Sequence, residues 1–246
     1  MLHDAGLSWQ ALDDPENRLP ATTVVKLLEA SAERSGCDSF GLLMASSRSF
    51  ASLGPLSLLL PHLRNVREIA LACIEFQALL NDVVTLALEE SDETTVIKFQ
   101  LLPDMWAVQA LDMMIGIGYR VLAGASANQW RPSCVHLMRR PPGNLTLWRR
   151  FFNAPLQFES AFAGFSGSRR AALAPLPGAD PGMARNARRL LEMVPVRPMP
   201  APVTDRVRRS LVLLLPSGRA NVEVVATYLG LGSRTCAKRG IASATC

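Results

Sequence analysis

The stretch Val83-Val84-Thr85-Leu86-Ala87-Leu88-Glu89-Glu90-Ser91-Asp92-Glu93-Thr94-Thr95-Val96-Ile97-Lys98-Phe99-Gln100-Leu101 decides the fold class. From Val83 to Glu89, Val84, Leu86 and Leu88 point one way while Thr85 and Ala87 point the other. After the polar turn Glu90-Ser91-Asp92-Glu93 the alternation resumes, with Ile97, Phe99 and Leu101 on one face. Successive side chains of a strand leave on opposite sides, so two such runs joined by a short turn predict a β-hairpin with one buried face.

The flanking sequence has helical rather than strand periodicity. Thr22 to Arg34 repeats apolar positions at Val24, Leu27 and Leu28, with Gly36 placed as a stop. Asn65 to Leu80 reads as a second helix. Downstream, Trp106, Ala110, Met113, Met114, Ile117 and Val121 form one stripe, with Asp104 as its predicted cap and Gly124 as its predicted end. Cys134 to Met138 and Leu156 to Phe165 read as further strands, with a short helix from Leu145 to Phe152 between them. This order predicts an α+β fold, an antiparallel or mixed sheet packed with helices, rather than regular βαβ alternation.

Composition is compatible with a buried core: 49% of the 246 residues are apolar. The longest stretch without a charge, Ser49 to Leu63, is too short to span a membrane and contains Pro55 and Pro61. Met1-Leu2-His3-Asp4 has no basic leader before an apolar run, so a cytoplasmic location is expected. Five scattered cysteines (Cys37, Cys73, Cys134, Cys236 and Cys246) form no CxxC pair, which predicts free thiols rather than a disulfide framework or a zinc site.

Charge divides the chain. From Ala184 onward eleven Lys and Arg face three acidic residues, a net of +8, and the rest carries a net of −3. A basic tail on an acidic body predicts a negatively charged partner for the tail, and nucleic acid fits. Pro195, Pro198, Pro200 and Pro202 mark a semi-rigid linker, giving a body at 1–194, a linker at 195–203 and a short all-α unit at 204–246. In that unit Val222, Val225, Ala226 and Leu229 make a short helix, Gly230-Leu231-Gly232 a tight turn, and Ser233 caps a basic second helix. That is the helix-turn-helix plan, which a plain helical hairpin would share.

The run from Val222 to Thr235 resembles the first helix-turn-helix of AraC/XylS regulators in its alanine, its Leu-Gly turn and its Ser-Arg-Thr start. The body resembles the branch of that family whose sensing domain is arabinose-binding-like. The matching stretches fall in the family's order: Asp14-Pro15-Glu16-Asn17-Arg18-Leu19-Pro20, Ser39-Phe40-Gly41-Leu42, Leu53-Gly54-Pro55-Leu56, Trp130-Arg131-Pro132, Arg149-Arg150-Phe151-Phe152 and Pro177-Gly178-Ala179-Asp180-Pro181. Cys236 and Gly240 depart from the family's leucines, and the second helix-turn-helix of family members has no counterpart before Cys246. The unit at 204–246 is therefore expected to be an incomplete helix-turn-helix. Cys134-Val135-His136 also departs from the branch, which tends to place an aromatic residue and then a histidine on that strand.

The resemblance implies a ligand-responsive transcription regulator. Its partners would be promoter DNA, an unidentified small-molecule effector and a second copy in a homodimer, with no membrane. Ser233, Arg234, Thr235 and Lys238 are the expected base-contacting residues, since the first turn of a recognition helix faces base edges. Arg239 and Arg219 are expected on phosphates. No effector-contacting residue is identified. Catalysis, a metal and a cofactor are not expected: His3, His62 and His136 lack metal spacing, and no GxSxG, P-loop or HExxH occurs. Cys134 has no motif that would make it a hydrolase nucleophile. Gly116-Ile117-Gly118 is expected to serve close helix packing, and Met105, Met113 and Met114 to sit in the core. The alternative is a metabolite-binding or dimerisation module that does not itself bind DNA.

Overall fold

A computed structural model describes residues 19–81, 83–101 and 107–194, with residues 2, 7–13 and 17 before them and residues 207, 211 and 225 beyond. The hairpin forms as its periodicity requires. Strand β1 (Val84–Glu90) pairs antiparallel with β2 (Thr94–Leu101), in the register Val84 to Leu101, Leu86 to Phe99 and Leu88 to Ile97. The turn is closed by the Ser91 N–H donating to the Thr94 carbonyl and by a 2.7 Å contact between the two side-chain hydroxyls.

Three later strands complete the sheet: β3 (Cys134–His136), β4 (Leu156–Gln157) and β5 (Ala163–Ser168), in the order β1-β2-β5-β3-β4. All pairings are antiparallel except β3 with β4, so the sheet is mixed. Together with its helices it makes the α+β fold that the order of elements predicts. The run from Leu156 to Phe165 is two strands rather than the expected one. Glu159 takes a left-handed φ of 52°, and the N–H groups of Glu159 and Ser160 donate to the carbonyls of Arg139 and Leu137. This segment therefore crosses the end of β3, and β4 and β5 lie on opposite sides of it.

Before the hairpin come α1 (Gln10–Asp13), α2 (Ala21–Ser35), α3 (Phe40–Ser47), two 3-10 segments (Phe50–Leu58 and Leu60–His62), α4 (Val66–Glu75) and α5 (Gln77–Leu80). Gly36 ends α2 in the left-handed conformation with φ 61°, as expected of a glycine just past a helix. The predicted helix over Asn65–Leu80 is broken at Phe76, and Asn65 caps its first part by accepting from the Glu68 N–H. The uncharged Ser49–Leu63 stretch is a tight corner, broken at Gly54, that buries Leu56, Leu59, Leu60 and Leu63.

Helix α6 (Val108–Ala125) lies against the sheet. Ala107, not Asp104, is at its N-cap, and Asp104, Met105 and Trp106 lie outside the described residues. Gly124 lies inside the helix, because the chain turns left-handed only at Ala127 and Asn128, where the Asn128 N–H caps the Ala123 carbonyl. Ala110 and Val121 are buried, and Met113, Met114 and Ile117 pack against the core. The two glycines of α6 act as spacers. A Cβ on Gly116 would sit 2.5 Å from the Ala45 Cβ of α3, and one on Gly118 would sit 2.3 Å from the Phe99 ring. Helices α7 (Thr146–Phe152), α8 (Arg169–Leu173) and α9 (Pro181–Met193) finish the body. Asp180 caps α9 by accepting from Gly182 and Met183, with Pro181 at the first turn, where its missing N–H costs nothing.

The centre of the core is aromatic. Phe165 on β5 meets Phe99 edge-on at 5.5 Å and Trp130 at 6.2 Å, and Trp148 and Phe152 of α7 are fully buried beside it.

Candidate functional site

Strand alternation gives the sheet a second face, away from the core, and β3 puts chemistry on it. Register pairs His136 with Gly164 and Cys134 with Ser166 on this side. His136 is half-buried. Its Nδ1 lies 3.2 Å from the Ser160 hydroxyl, its Nε2 lies 2.8 Å from the Ser166 hydroxyl, and its ring is 4.4 Å from that of Phe162. Lys98 stands over the same Phe162 at 5.1 Å and is ion-paired with Glu89 at 2.6 Å. The result is a polar strip with an aromatic centre, suited to hydrogen bonding at a surface.

It is poorly arranged for nucleophilic catalysis. Both imidazole nitrogens face hydroxyls, so no carboxylate orients the ring as a serine hydrolase requires. Burial pushes the imidazole below its ordinary pKa. The same cause pushes the Cys134 thiol up, away from the thiolate that a nucleophile needs, and drives the buried Cys73 up to about 12. Among the described residues no group of three or more His, Cys, Asp or Glu is placed to hold a metal.

A second polar cluster lies inside the helical layer. Asp112 of α6 is 2% exposed, and Arg139 reaches it at 2.5 Å while also donating to the Asp38 carbonyl at 2.7 Å. Gln109, one position off the turn below, accepts from the Gly41 N–H and donates to the same Asp38 carbonyl. The Trp148 indole donates to Ser39 at 2.7 Å, and the Arg139 guanidinium lies over the Trp148 ring at 5.6 Å. Burial raises the Asp112 carboxyl to about 7 against the opposing pull of Arg139, and Glu29 of α2 adds to the rise. This network joins α3, α6, α7 and the segment after β3 by groups that satisfy one another.

An open groove of about 450 Å³ runs between α4 and the end of α8, lined by Arg64, Arg67, Glu68, Leu173 and Pro175 among others. Its cations are engaged, Arg64 with Glu68 and Arg67 with Glu90.

The residues expected to touch DNA, Arg219, Ser233, Arg234, Thr235, Lys238 and Arg239, lie outside the described residues, as do the linker and most of 204–246. Asp112, Gln109 and Arg139 are singled out neither by spacing nor by the resemblance. The available signal is a lone carboxylate between Leu111 and Met113 in an otherwise apolar helix.

Among the described residues no helix is long and apolar enough to cross a membrane. The family described as the arabinose-binding domain of AraC transcription regulators, N-terminal, matches residues 1–176. The HTH-type transcriptional regulator VirS of Mycobacterium tuberculosis, in two strains, is 24% identical over 221 residues, covering 87% of this chain. The chain spans 64% of the length of these curated relatives. The crystal structure of the transcriptional regulator CdpR from Pseudomonas aeruginosa superposes with a TM-score of 0.52 at 16% identity, covering 97% of this chain and 75% of that one. At that identity the likeness is one of fold. The match over residues 1–176 places this chain in the family of AraC transcription regulators that carry the arabinose-binding domain.

Proposed function

We propose that this chain is a ligand-responsive transcription regulator, in which residues 1–194 sense a small molecule and residues 204–246, joined by the linker 195–203, contact promoter DNA. The observation that carries the reading is the family match over 1–176 on a body with one continuous core. The charge partition supports it: the body is net acidic and the segment from Ala184 onward carries +8. In this reading Ser233, Arg234, Thr235 and Lys238 read bases, and Arg219 and Arg239 bind phosphates. Residues 204–246 hold the pattern of one helix-turn-helix, and that unit is the one assigned to DNA here. In this reading the protein works in the cytoplasm by binding rather than by catalysis, and the naming of its relatives as transcriptional regulators supports that reading.

Fluorescence anisotropy of the chain on duplex DNA, across a salt series, tests this. The logarithm of affinity should fall steeply and linearly with the logarithm of salt. Residues 1–194 alone should melt cooperatively and not bind. Binding that is independent of salt, or carried by 1–194, contradicts the assignment.

A second reading, a sensing or dimerisation module without DNA binding, is favoured by one feature. Helix α9 buries Ala187 and Leu191 but leaves Met183, Leu190 and Met193 between 48% and 69% exposed along one side. Such an unpartnered apolar stripe fits a homodimer. Sedimentation of the chain with and without Leu190→Glu tests the dimer, and the anisotropy series on DNA separates the two readings.

A further inference from the structure

The sheet has two edges, and they are finished differently. Strand β4 is two residues long and the chain leaves it through a left-handed Glu159, so that edge offers little to pair with. Strand β1 is seven residues long, runs in unbroken one-to-one register with β2, and carries neither proline nor lysine. Backbone groups alternate sides along an antiparallel strand. The partners of Val84 and Leu86 fix the phase: Thr85, Ala87 and Glu89 direct their groups at β2, and Val84, Leu86, Leu88 and Glu90 direct theirs outward.

Side chains close the start of this outer edge. Asn81 Oδ1 accepts from the Val84 N–H at 2.7 Å. The Gln77 amide, 3% exposed, donates to the Val84 carbonyl and accepts from the Leu86 N–H at 3.1 Å, standing in for a residue of a neighbouring strand. There the closure stops. The Leu86 carbonyl, both backbone groups of Leu88 and the Glu90 N–H have no hydrogen-bond partner among the described residues. The Leu86 and Leu88 side chains are half-buried against the core, so the strand is anchored while its edge stays open.

We propose that the open part of β1 pairs antiparallel with β1 of a second copy, about a two-fold axis at Leu88, joining the two sheets edge to edge. The free groups are self-complementary about that point. Leu88 meets Leu88 of the second copy, and each N–H donates to the other's carbonyl. Leu86 meets Glu90 of the second copy, whose N–H donates to the Leu86 carbonyl, and the symmetric bond forms on the other side. This register asks nothing of the Leu86 N–H, which Gln77 already holds. A register shifted toward Val84 would need groups that Gln77 and Asn81 occupy, so these two side chains set the pairing as well as closing the edge. The charges also agree. Glu89 falls opposite Ala87 of the second copy and Glu90 opposite Leu86, so no like charges face each other. Each carboxylate is already neutralised within its own copy, Glu89 by Lys98 and Glu90 by Arg67. An unrelated extended peptide would meet the same backbone groups without this symmetry. The inference goes beyond the regulator reading and does not rest on it, and its surface is distinct from the stripe on α9.

The test is sedimentation equilibrium of the full chain beside Glu90→Pro and Leu190→Glu, with oxidative cross-linking of the double variant Ala87→Cys/Glu89→Cys. The wild type should dimerise. Glu90→Pro removes a donor that has no partner within its own copy, at an edge position where proline is tolerated. It should raise the dimer dissociation constant at least tenfold while the chain still melts cooperatively. Leu190→Glu should leave dimerisation unchanged. Residues 87 and 89 of facing copies would have Cα atoms about 4.5 Å apart, within reach of a disulfide. The double variant should therefore give a covalent dimer on oxidation that neither the wild type, with its own cysteines, nor Ala87→Cys alone gives. This cross-link keeps the proposal testable if the proline prevents folding. A chain that is monomeric at every concentration overturns the proposal. So does a dimer that survives Glu90→Pro in a folded chain, or one that gives no cross-link. Dimerisation lost in Leu190→Glu and kept in Glu90→Pro places the joint on α9 instead. The anisotropy series above judges the regulator reading independently of all these outcomes.

Discussion

The two faces of the sheet are built to different tolerances. On the helical side Gly116 lets α3 approach until a single methyl would collide with Ala45, and Gly118 lets α6 rest on the Phe99 ring. On the open side His136, Lys98, Phe162 and Ser166 are half-exposed and held by hydrogen bonds, stacking and one ion pair. The difference teaches where sequence change is expensive. Close packing transmits the loss of a methylene, because neighbours relax only partly, whereas a hydrated face substitutes water for what is removed.

The largest break should come from Trp148→Ala. This fully buried ring carries both packing and the Ser39 hydrogen bond, and urea unfolding should show a loss of about 3–5 kcal/mol. Gly116→Ala should cost about 1–3 kcal/mol by overpacking. Ala45→Gly added to it should restore part of that loss, and a strictly additive double mutant would show that the α3 contact is not the cause. His136→Ala should fall within about 1 kcal/mol of wild type, since both its partners are hydroxyls that water can serve. A loss as large as that of Trp148→Ala would erase the distinction between the faces.

Asp112 sharpens the comparison by pH. Its folded pKa, about 7, lies above the ordinary aspartate value of 3.8. Between these values the folded state holds a proton that the unfolded state has released, so the contribution of Asp112 to stability is fully present below about pH 4 and declines up to about pH 7. Above that it is level. Relative to Asp112→Asn, wild-type stability should therefore fall across this window in urea melts from pH 4 to 8. A rise instead would mean that the Arg139 pair outweighs burial.

The hairpin was legible because a single-sided strand leaves a period of two in its own residues. Helix α6 was legible for the same kind of reason, although its start was misplaced, since Asp104 is a good cap in sequence but Ala107 occupies that position. The corner from Phe50 to His62 has no period to read. It is apolar throughout, bent at Gly54 and proline-punctuated, and its leucines are buried by neighbours distant in sequence. Helix α9 did carry its signal, Asp180 before Pro181, which was read only as part of a family resemblance. The Asp112–Arg139 pair could not be read in this way, because its members lie 27 residues apart and meet only when α6 packs beside the segment after β3.

The strand order has a consequence for how the chain is made. The partner of β2 on its second edge is β5, and the sequence between Leu101 and Ala163 must emerge before that edge can pair. At roughly 5–20 residues per second of synthesis, the hairpin waits on the order of 3–12 seconds with an open strand edge. Open edges invite pairing with other chains, and a charged side chain on the strand, lysine especially, is a common guard against it. Lys98, in the middle of β2 and paired with Glu89 from within the same hairpin, is in place from the first moment the hairpin forms. Its role during synthesis precedes any that it has in the finished protein.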